Sequence, residues 1–448
     1  QIYKSDLIQN IPIGRSLQSV ITLTPGTVSS SNVKGGTAAN NTYRIDGLNA
    51  NDPCQQQLDI PIDFNLFEEV EIVTGGMPAE VGGTSGAYVN VVTKSGGNEF
   101  SGMVQSYFIN EDLTTVVLPQ EELTALGLSK PSAPIYDYDF SGNFGGPIIK
   151  DKIWFYLNGR YGADKYNTGF IPFTSPYDGT YYDTFHRKSH NWGTFMKLTF
   201  QLSKSVKLAL MGNARQTYRN TRASGWNMPF DCHYHDDPWA NYAATGVLTW
   251  LIDSNTYLEV RGGYTKVDSM LTLVRPELTT VPYMYDYYTG YYFGTGYRPN
   301  EWTGRPKKQF SIALTRFLDN LMGGDHEIKA GLELLFGGDN WAVWKENPIW
   351  WPWYNGSPYY YRALYGTRWW GDAWLGMAVF GTTKEGNIAQ GEFIKYGGYI
   401  QDSITFKNRL TVNLGIRLDH VTGNIPEVYK NRTGGDIAYQ LGEVFLKP

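Results

Sequence analysis

The sequence predicts an all-β chain: part of a transmembrane β-barrel, with a small α+β domain seated in the barrel lumen. Three observations predict it. From Phe100 onward, segments of roughly ten residues alternate apolar and polar side chains, as barrel strands do when one face meets lipid and the other the lumen. The links between those segments are alternately short and long. The first 98 residues lack this alternation and are instead rich in glycine, with three short strand-like runs and one helix-like run.

Composition narrows the class. Among 448 residues only 18% are charged and 15% are aromatic, with 33 Tyr, 14 Trp and 50 Gly. A soluble domain is about one-quarter charged. No stretch approaches the roughly 18 consecutive apolar residues of a spanning helix, which excludes a helical membrane protein. Net charge is −5 and the Lys and Arg residues are scattered, so no footprint for nucleic acid exists. Two cysteines, Cys54 and Cys232, are too few for a disulfide scaffold and lack zinc spacing. The opening QIYKSDLIQN has no apolar core of a signal peptide, so a leader was removed or the sequence starts inside a longer chain.

In the first 98 residues, IPIGRSLQSVITLTPGT predicts a short helix around Ser16 to Leu23, stopped by Pro25 and Gly26. YRIDGLNAND predicts a short strand and an Asp-Gly turn. FEEVEIVTGG predicts a strand closed by Gly75 and Gly76, and AYVNVVTKSGG a second strand before Gly96 and Gly97.

The segments that follow are predicted as strands at 100–111, 137–148, 152–164, 188–202, 205–218, 240–252, 255–268, 307–317, 325–338, 392–406 and 409–421. KNRLTVNLGIRLDHV shows the pattern best, with Leu410, Val412, Leu414, Ile416 and Leu418 on one face and Thr411, Asn413, Arg417 and Asp419 on the other. Alternation alone also suits a soluble sandwich. The connections decide: tight links such as IIKDK, LSKSV and FKNR alternate with long ones at 112–136, 165–187, 219–239, 269–306 and 339–391, matching short periplasmic turns and long extracellular loops. A barrel in lipid must close, so an odd run of strands implies more beyond Pro448, about 22 in all for a lumen holding a domain of this size.

The quoted residues carry a family resemblance. From IPIGRSLQSVITLTPGT through YRIDGLNAND to FEEVEIVTGGMPAEVGGTSGAYVNVVTKSGGNEFSG, the first domain resembles the plug of TonB-dependent outer-membrane receptors, and FGGPIIKDKIWFYLNGRY resembles their first barrel hairpin. The most similar variant is the Oar-like group, related to SusC-like importers. The resemblance implies a plug over residues 1–98, the first part of a barrel over 99–448, and location in the bacterial outer membrane. It implies a transporter that imports a bulky, scarce ligand (oligosaccharide, peptide or chelate), outer-membrane lipid around it, a TonB–ExbB–ExbD complex as energy partner and a surface lipoprotein as a further partner. A structural or adhesive surface protein of the same fold is the alternative reading. The short TonB-contacting box is not recognisable in QIYKSD. Residues of the plug signature are Arg44, Asp46, Gly47, Glu71, Gly75, Gly76, Glu80, Gly82, Asn90, Thr93, Lys94, Gly96 and Gly97. Their glycines would let strands turn and pass close to each other and to the wall.

Three further groups have a chemical reading. The aromatic loops at 269–306 and 339–391 place Tyr287, Tyr291, Trp350, Trp351, Trp353, Trp369 and Trp370, with Arg368, at the predicted barrel mouth, either as stacking surfaces for ligand or as rings packed loop on loop. Plug charges such as Arg15, Arg44, Asp46 and Glu80 face lumen charges such as Arg160, Arg215, Glu259, Arg261 and Glu333, as breakable latches or as a solvated polar lumen. In DCHYHDD, residues 231–237, metal-ligand types cluster in one loop, but a polar turn is the favoured reading and no metal is predicted. If NDPCQQQ lies at the outward tip of the plug, as the resemblance implies, Cys54 and Cys232 would form a disulfide. No nucleophile, base and orienting group share a motif, so neither an enzyme nor a cofactor is predicted.

Overall fold

A computed structural model describes the chain except residues 12, 29–31, 59–61, 115–118, 126–132, 169–172, 176–177, 183–184, 223–228, 238–239, 282, 287, 289, 291, 295–299, 345–348, 355–356, 359–361, 364–387, 408, 426–427, 431–438, 442–443 and 447–448. The N-terminal region is built on a five-stranded sheet of β1 (Ile2–Lys4), β2 (Thr42–Ile45), β3 (Leu48–Asn49), β4 (Phe67–Val73) and β5 (Tyr88–Thr93), in the order β1-β4-β5-β2-β3. Strand β5 pairs antiparallel with β4 and parallel with β2. Alternation in β4 and β5 turns Phe67, Val70, Ile72, Val89 and Val91 inward. They bury against the helix Leu17–Ile21, whose Ser16 cap accepts from the Ser19 amide at 3.2 Å. The Asp-Gly turn forms as read: Asp46 and Gly47 take φ of 46° and 82°, the pair of positive values a two-residue hairpin turn demands.

Eleven long strands follow, β6 (Ser101–Asn110), β7 (Ala133–Ile149), β8 (Ile153–Thr168), β9 (Phe185–Gln201), β10 (Val206–Arg222), β11 (Ala240–Asp253), β12 (Thr256–Leu273), β13 (Asn300–Leu321), β14 (Gly324–Trp344), β15 (Ile388–Phe406) and β16 (Leu410–Ile425). Each pairs antiparallel with its successor. All eleven predicted strands are present, and most are longer than their alternation suggested. Strand β13 runs 22 residues, where 307–317 shows the pattern. About 9–11 tilted residues cross a bilayer, so β13 extends past it, where neither face meets lipid and the apolar alternation lapses. Within the spanning part the alternation partitions as expected. Leu410, Leu414, Ile416 and Leu418 are exposed on the outer face, whereas Arg417 points inward and is 9% exposed.

The five-stranded domain lies against the inner face of this wall. Leu66 packs with Tyr156, Phe195 and Met211 from β8, β9 and β10, and Ala243 of β11 joins the domain's own core. Where the chain passes from the domain into the wall, the backbone comes so near that a Cβ on Gly96 would coincide with the Phe155 carbonyl. Only glycine fits there.

Candidate functional site

Two regions concentrate polar chemistry: the seam between the inner domain and the wall, and the loops at the outer rim. At the seam, the hydrophobic register of β2 leaves Arg44 at its wall-facing end. Its guanidinium donates to Glu333 of β14 at 2.6 Å, and Glu333 also accepts from Arg417 of β16 at 2.6 Å. Arg417 is held in turn by Asp419 at 2.8 Å. The segment after β4 is fixed through Glu80, whose amide donates to Gln401 at 3.0 Å and whose carbonyl accepts from Arg44 and Arg417, each at 3.0 Å. Its carboxylate meets Lys329. On the opposite flank Lys197 of β9, nearly buried, donates to the Thr93 hydroxyl at 2.9 Å and lies 3.5 Å from Asp46. Toward the outer end Lys307 donates to the Asn51 carbonyl at 2.6 Å, Gln309 both donates to and accepts from the backbone of Asn49 at 2.9 Å, and Arg305 bridges Asp52 and Asp339.

Burial acts on the groups of the inner domain. It pushes the Tyr88 phenol up to about 12, against the opposing pull of Arg44. It raises the Asp63 carboxyl despite Arg160 3.9 Å away, and lowers the Lys94 ammonium. Between this domain and the wall lies a cavity of about 690 Å³ whose lining includes Arg44, Asp46, Gly47, Glu71, Gly76, Glu80 and Asn90 from the signature residues, with Arg261, Lys329 and Asp402 from the wall.

The sequence identified many of these groups and mismatched several partners. Arg44 does meet Glu333, but Glu259 and Arg261 pair with each other at 2.8 Å, and Arg15 reaches Gln105 and stacks over Tyr107 instead of finding a carboxylate. Lys197, Arg305, Lys307, Lys329 and Arg417 were missed as partners of the domain. Their signal was present for Lys197, Lys307, Lys329 and Arg417, which occupy lumen-facing positions of the predicted strands, whereas Arg305 falls in the stretch 269–306 that the sequence reads as a loop. Of the signature glycines, Gly82 lies against the Arg417 guanidinium and Gly75 near the Lys34 ammonium, while Gly97 borders open space, so close approach does not account for Gly97.

At the rim, Tyr283–Asp286 pairs parallel with Ile349–Tyr354, setting Tyr283 opposite Trp350, Met284 opposite Trp351 and Asp286 opposite Trp353. The two aromatic loops therefore share one small sheet, completed by Tyr292–Gly294 on one side. Tyr287, Tyr291, Arg368, Trp369 and Trp370 lie outside the described residues. The DCHYHDD segment is not the polar turn that the sequence favours: Asp231, Cys232 and His233 are buried, Tyr234–Asp237 is a strand that extends the wall between β10 and β12, and no group of three metal-ligand side chains occurs among the described residues. Asp231 is buried and accepts from Arg275 at 2.7 Å, Arg275 also reaches Asp178 at 2.9 Å and Glu277 at 2.7 Å, and Ser175 donates to Asp231 at 2.6 Å. The Cys54–Cys232 bridge is not formed. Cys232 is buried with its thiol directed to the Gly294 carbonyl at 3.6 Å, whereas Cys54 sits on the inner domain, where loss of solvent around the thiol and then the neighbouring Asp339 carboxylate push it up to about 11.

The comparisons agree on a fold. A family model described as an outer membrane beta barrel domain matches residues 92–168. The TonB-dependent transporter Oar of Myxococcus xanthus is 29% identical over 248 residues, 52% of this chain and 21% of that protein. The crystal structure of the outer membrane transporter YddB from Escherichia coli superposes with a TM-score of 0.67 at 12% identity, covering 95% of this chain and 58% of YddB. The open form of the ferric-catecholate import receptor Fiu from E. coli K12 gives 0.62 at 13% identity, covering all of this chain and 65% of Fiu. The siderophore receptor PirA from Acinetobacter baumannii gives 0.58 at 14%, covering 96% of this chain and 61% of PirA. The chain thus spans about a fifth of the curated relative and roughly three-fifths of each of these solved structures.

Proposed function

We propose, from the premise that this chain is the plug and the leading barrel strands of a TonB-dependent outer-membrane receptor, that the complete protein imports a bulky, scarce ligand across the outer membrane. In this reading residues 1–98 are the plug and 99–448 the start of the barrel. The observation that carries it is the seam: a folded domain is held inside the lumen by ion pairs and hydrogen bonds, Arg44–Glu333 and Lys329–Glu80 among them, that water can replace. A permanent structural filler gains more from a dry apolar contact all round. A gate needs contacts that break and re-form.

The ligand enters from the rim. The sheet shared by the two aromatic loops gathers Trp350, Trp351 and Trp353 in one strand, which favours a glycan or peptide with faces to stack upon, and Trp369, Trp370, Arg368, Tyr287 and Tyr291 belong to the same loops. The chelates in the names of Fiu and the siderophore receptors keep ferric complexes in the panel to be tested. Kinship with TonB-dependent proteins supplies the energy partner, a TonB–ExbB–ExbD complex, and a surface lipoprotein is proposed as a second partner at the rim. The test is accumulation of radiolabelled oligosaccharides, peptides and ferric chelates by cells with and without the receptor gene, each with TonB intact or deleted. Accumulation of one class that needs both genes supports import. Unchanged accumulation across the panel, with loss of cell-to-cell adhesion on deleting the receptor, would establish the adhesive reading instead.

A further inference from the structure

The plug does not meet the described wall uniformly. Against β8 to β11 the seam has an apolar centre beside the Lys197 contacts to Thr93 and Asp46: Leu66, Tyr156, Phe195 and Met211 bury one another, each 8% exposed or less, and Ala243 enters the plug core. Against β14 to β16 the seam is polar, and the plug element there is residues 75–83. Val81 is the only buried side chain of that segment. Its polar ties to the wall run through Glu80, to Gln401, Arg417 and Lys329, and Ala79 and Gly82 touch the wall at Gly415 and Arg417. Gly76 and Gly83 bracket it with φ of 66° and 72°, a backbone state in which glycine turns without strain, so both ends can swing.

The cavity of about 690 Å³ lies on this polar side. Charges of both signs line it: Glu71, Glu80 and Asp402 with Arg261 and Lys329. Two lining groups, Asn90 Oδ1 and Asp402 Oδ1, are buried without a hydrogen-bond partner among the described residues. Buried polar atoms of that kind are costly unless something hydrated or hydrogen-bonding meets them. Apolar contacts resist parting in water, whereas water substitutes for each polar contact as it breaks.

We propose that the plug parts from the described wall at this cavity: residues 75–83 swing away from β14 to β16 about Gly76 and Gly83 while the apolar seam stays closed, and cargo crosses as a hydrated, hydrogen-bonding solute. This rests on the import reading above. It adds where the passage opens and what chemistry the passage accepts.

The test uses the full-length receptor in planar bilayers, with potassium chloride current as the probe and urea added to loosen the plug. Two double-cysteine variants are each measured before and after bridging with bismaleimidoethane: Glu80→Cys with Lys329→Cys across the polar seam, and Leu66→Cys with Met211→Cys across the apolar one. Bridging the polar seam is expected to cut the frequency of openings at least tenfold, and bridging the apolar seam to leave it within twofold. The unbridged variants control for the substitutions themselves. Openings that survive the polar bridge, or that vanish with the apolar bridge, overturn the proposal and leave import standing. No openings in any unbridged variant, at urea concentrations that leave the barrel folded, overturn both.

Discussion

Among the described residues Glu333 is the one wall carboxylate that joins a plug arginine to a wall arginine, so replacing it isolates the contribution of a single latch. In Glu333→Ala, Arg417 keeps Asp419 at 2.8 Å and the Glu80 carbonyl at 3.0 Å, and Arg44 keeps the carbonyls of Glu80 and Gly47 at 3.0 and 3.2 Å. What disappears is the direct tie from β2 to the wall. A hydrogen bond to a charged group contributes about 1.5–3 kcal/mol net. The side chains of Arg44 and Glu333 are 11% and 24% exposed, which places this tie at the lower end, about 1.5–2 kcal/mol. That corresponds to roughly a 10- to 30-fold shift in the equilibrium for local opening. The assay is hydrogen exchange of the full-length receptor, followed at the amides of Thr42 and Asp46, which donate to Ala87 and Val91 between β2 and β5. Those amides should exchange 10- to 30-fold faster, while the Thr22 amide at the end of the buried helix keeps its rate. Glu333→Gln, which retains an acceptor, should give a smaller acceleration. Unchanged exchange at Thr42 and Asp46 in Glu333→Ala, or equal acceleration at Thr22, would refute the reasoning.

Further consequences concern other parts of the molecule. Gly96→Ala drives a Cβ into the Phe155 carbonyl, so the assembled receptor should lose plug docking, read as a fall in the temperature at which the barrel unfolds on gel electrophoresis. Leu66→Ala removes the centre of the apolar seam and should cost about 2–5 kcal/mol of plug stability in urea titrations. Arg275→Lys keeps the charge but cannot serve Asp178, Asp231 and Glu277 together, so proteolysis should cut the outer loops sooner than in the parent protein. The Cys54 thiol, with its pKa near 11, is protonated at pH 8, so iodoacetamide should modify it about two orders of magnitude more slowly than an ordinary thiol, with the rate climbing as pH rises toward 11.

Most of the architecture was legible because a barrel strand between lipid and a polar lumen must alternate, and β16 states that alternation residue by residue from Leu410 to Leu418. Strand ends were not legible where the strand leaves the lipid, as in β13, since polar residues on both faces carry no period. The latches were half legible. Alternation assigns Lys197, Lys307, Lys329 and Arg417 to the lumen, but which plug atom each one meets depends on the depth and rotation of the plug, and neither leaves a local pattern. Several of those partners are backbone carbonyls, those of Thr93, Asn51 and Glu80, and a carbonyl looks the same at every position of a sequence. The cysteine pairing failed for the same reason: Cys54 travels with the plug and Cys232 with a rim loop, and only the assembled molecule sets their separation.

The two ends of the lumen are built to different standards of rigidity, and the difference bears on where motion is possible. At the rim, Arg275 draws together the loops after β8, β10 and β12 around the buried carboxylate of Asp231, and the parallel pairing at Tyr283–Asp286 ties in the loop after β14. Freeing any one of those loops exposes an uncompensated buried charge or breaks a sheet, and removing one partner of a buried pair costs about 3–5 kcal/mol. At residues 75–83 no buried charge is stranded by movement, since Glu80, Lys329 and Gln401 gain water as they lose one another. On the import reading proposed above, a pull on the plug would do its work at the polar seam before it disturbs the rim, leaving the rim loops intact while the proposed passage behind them opens.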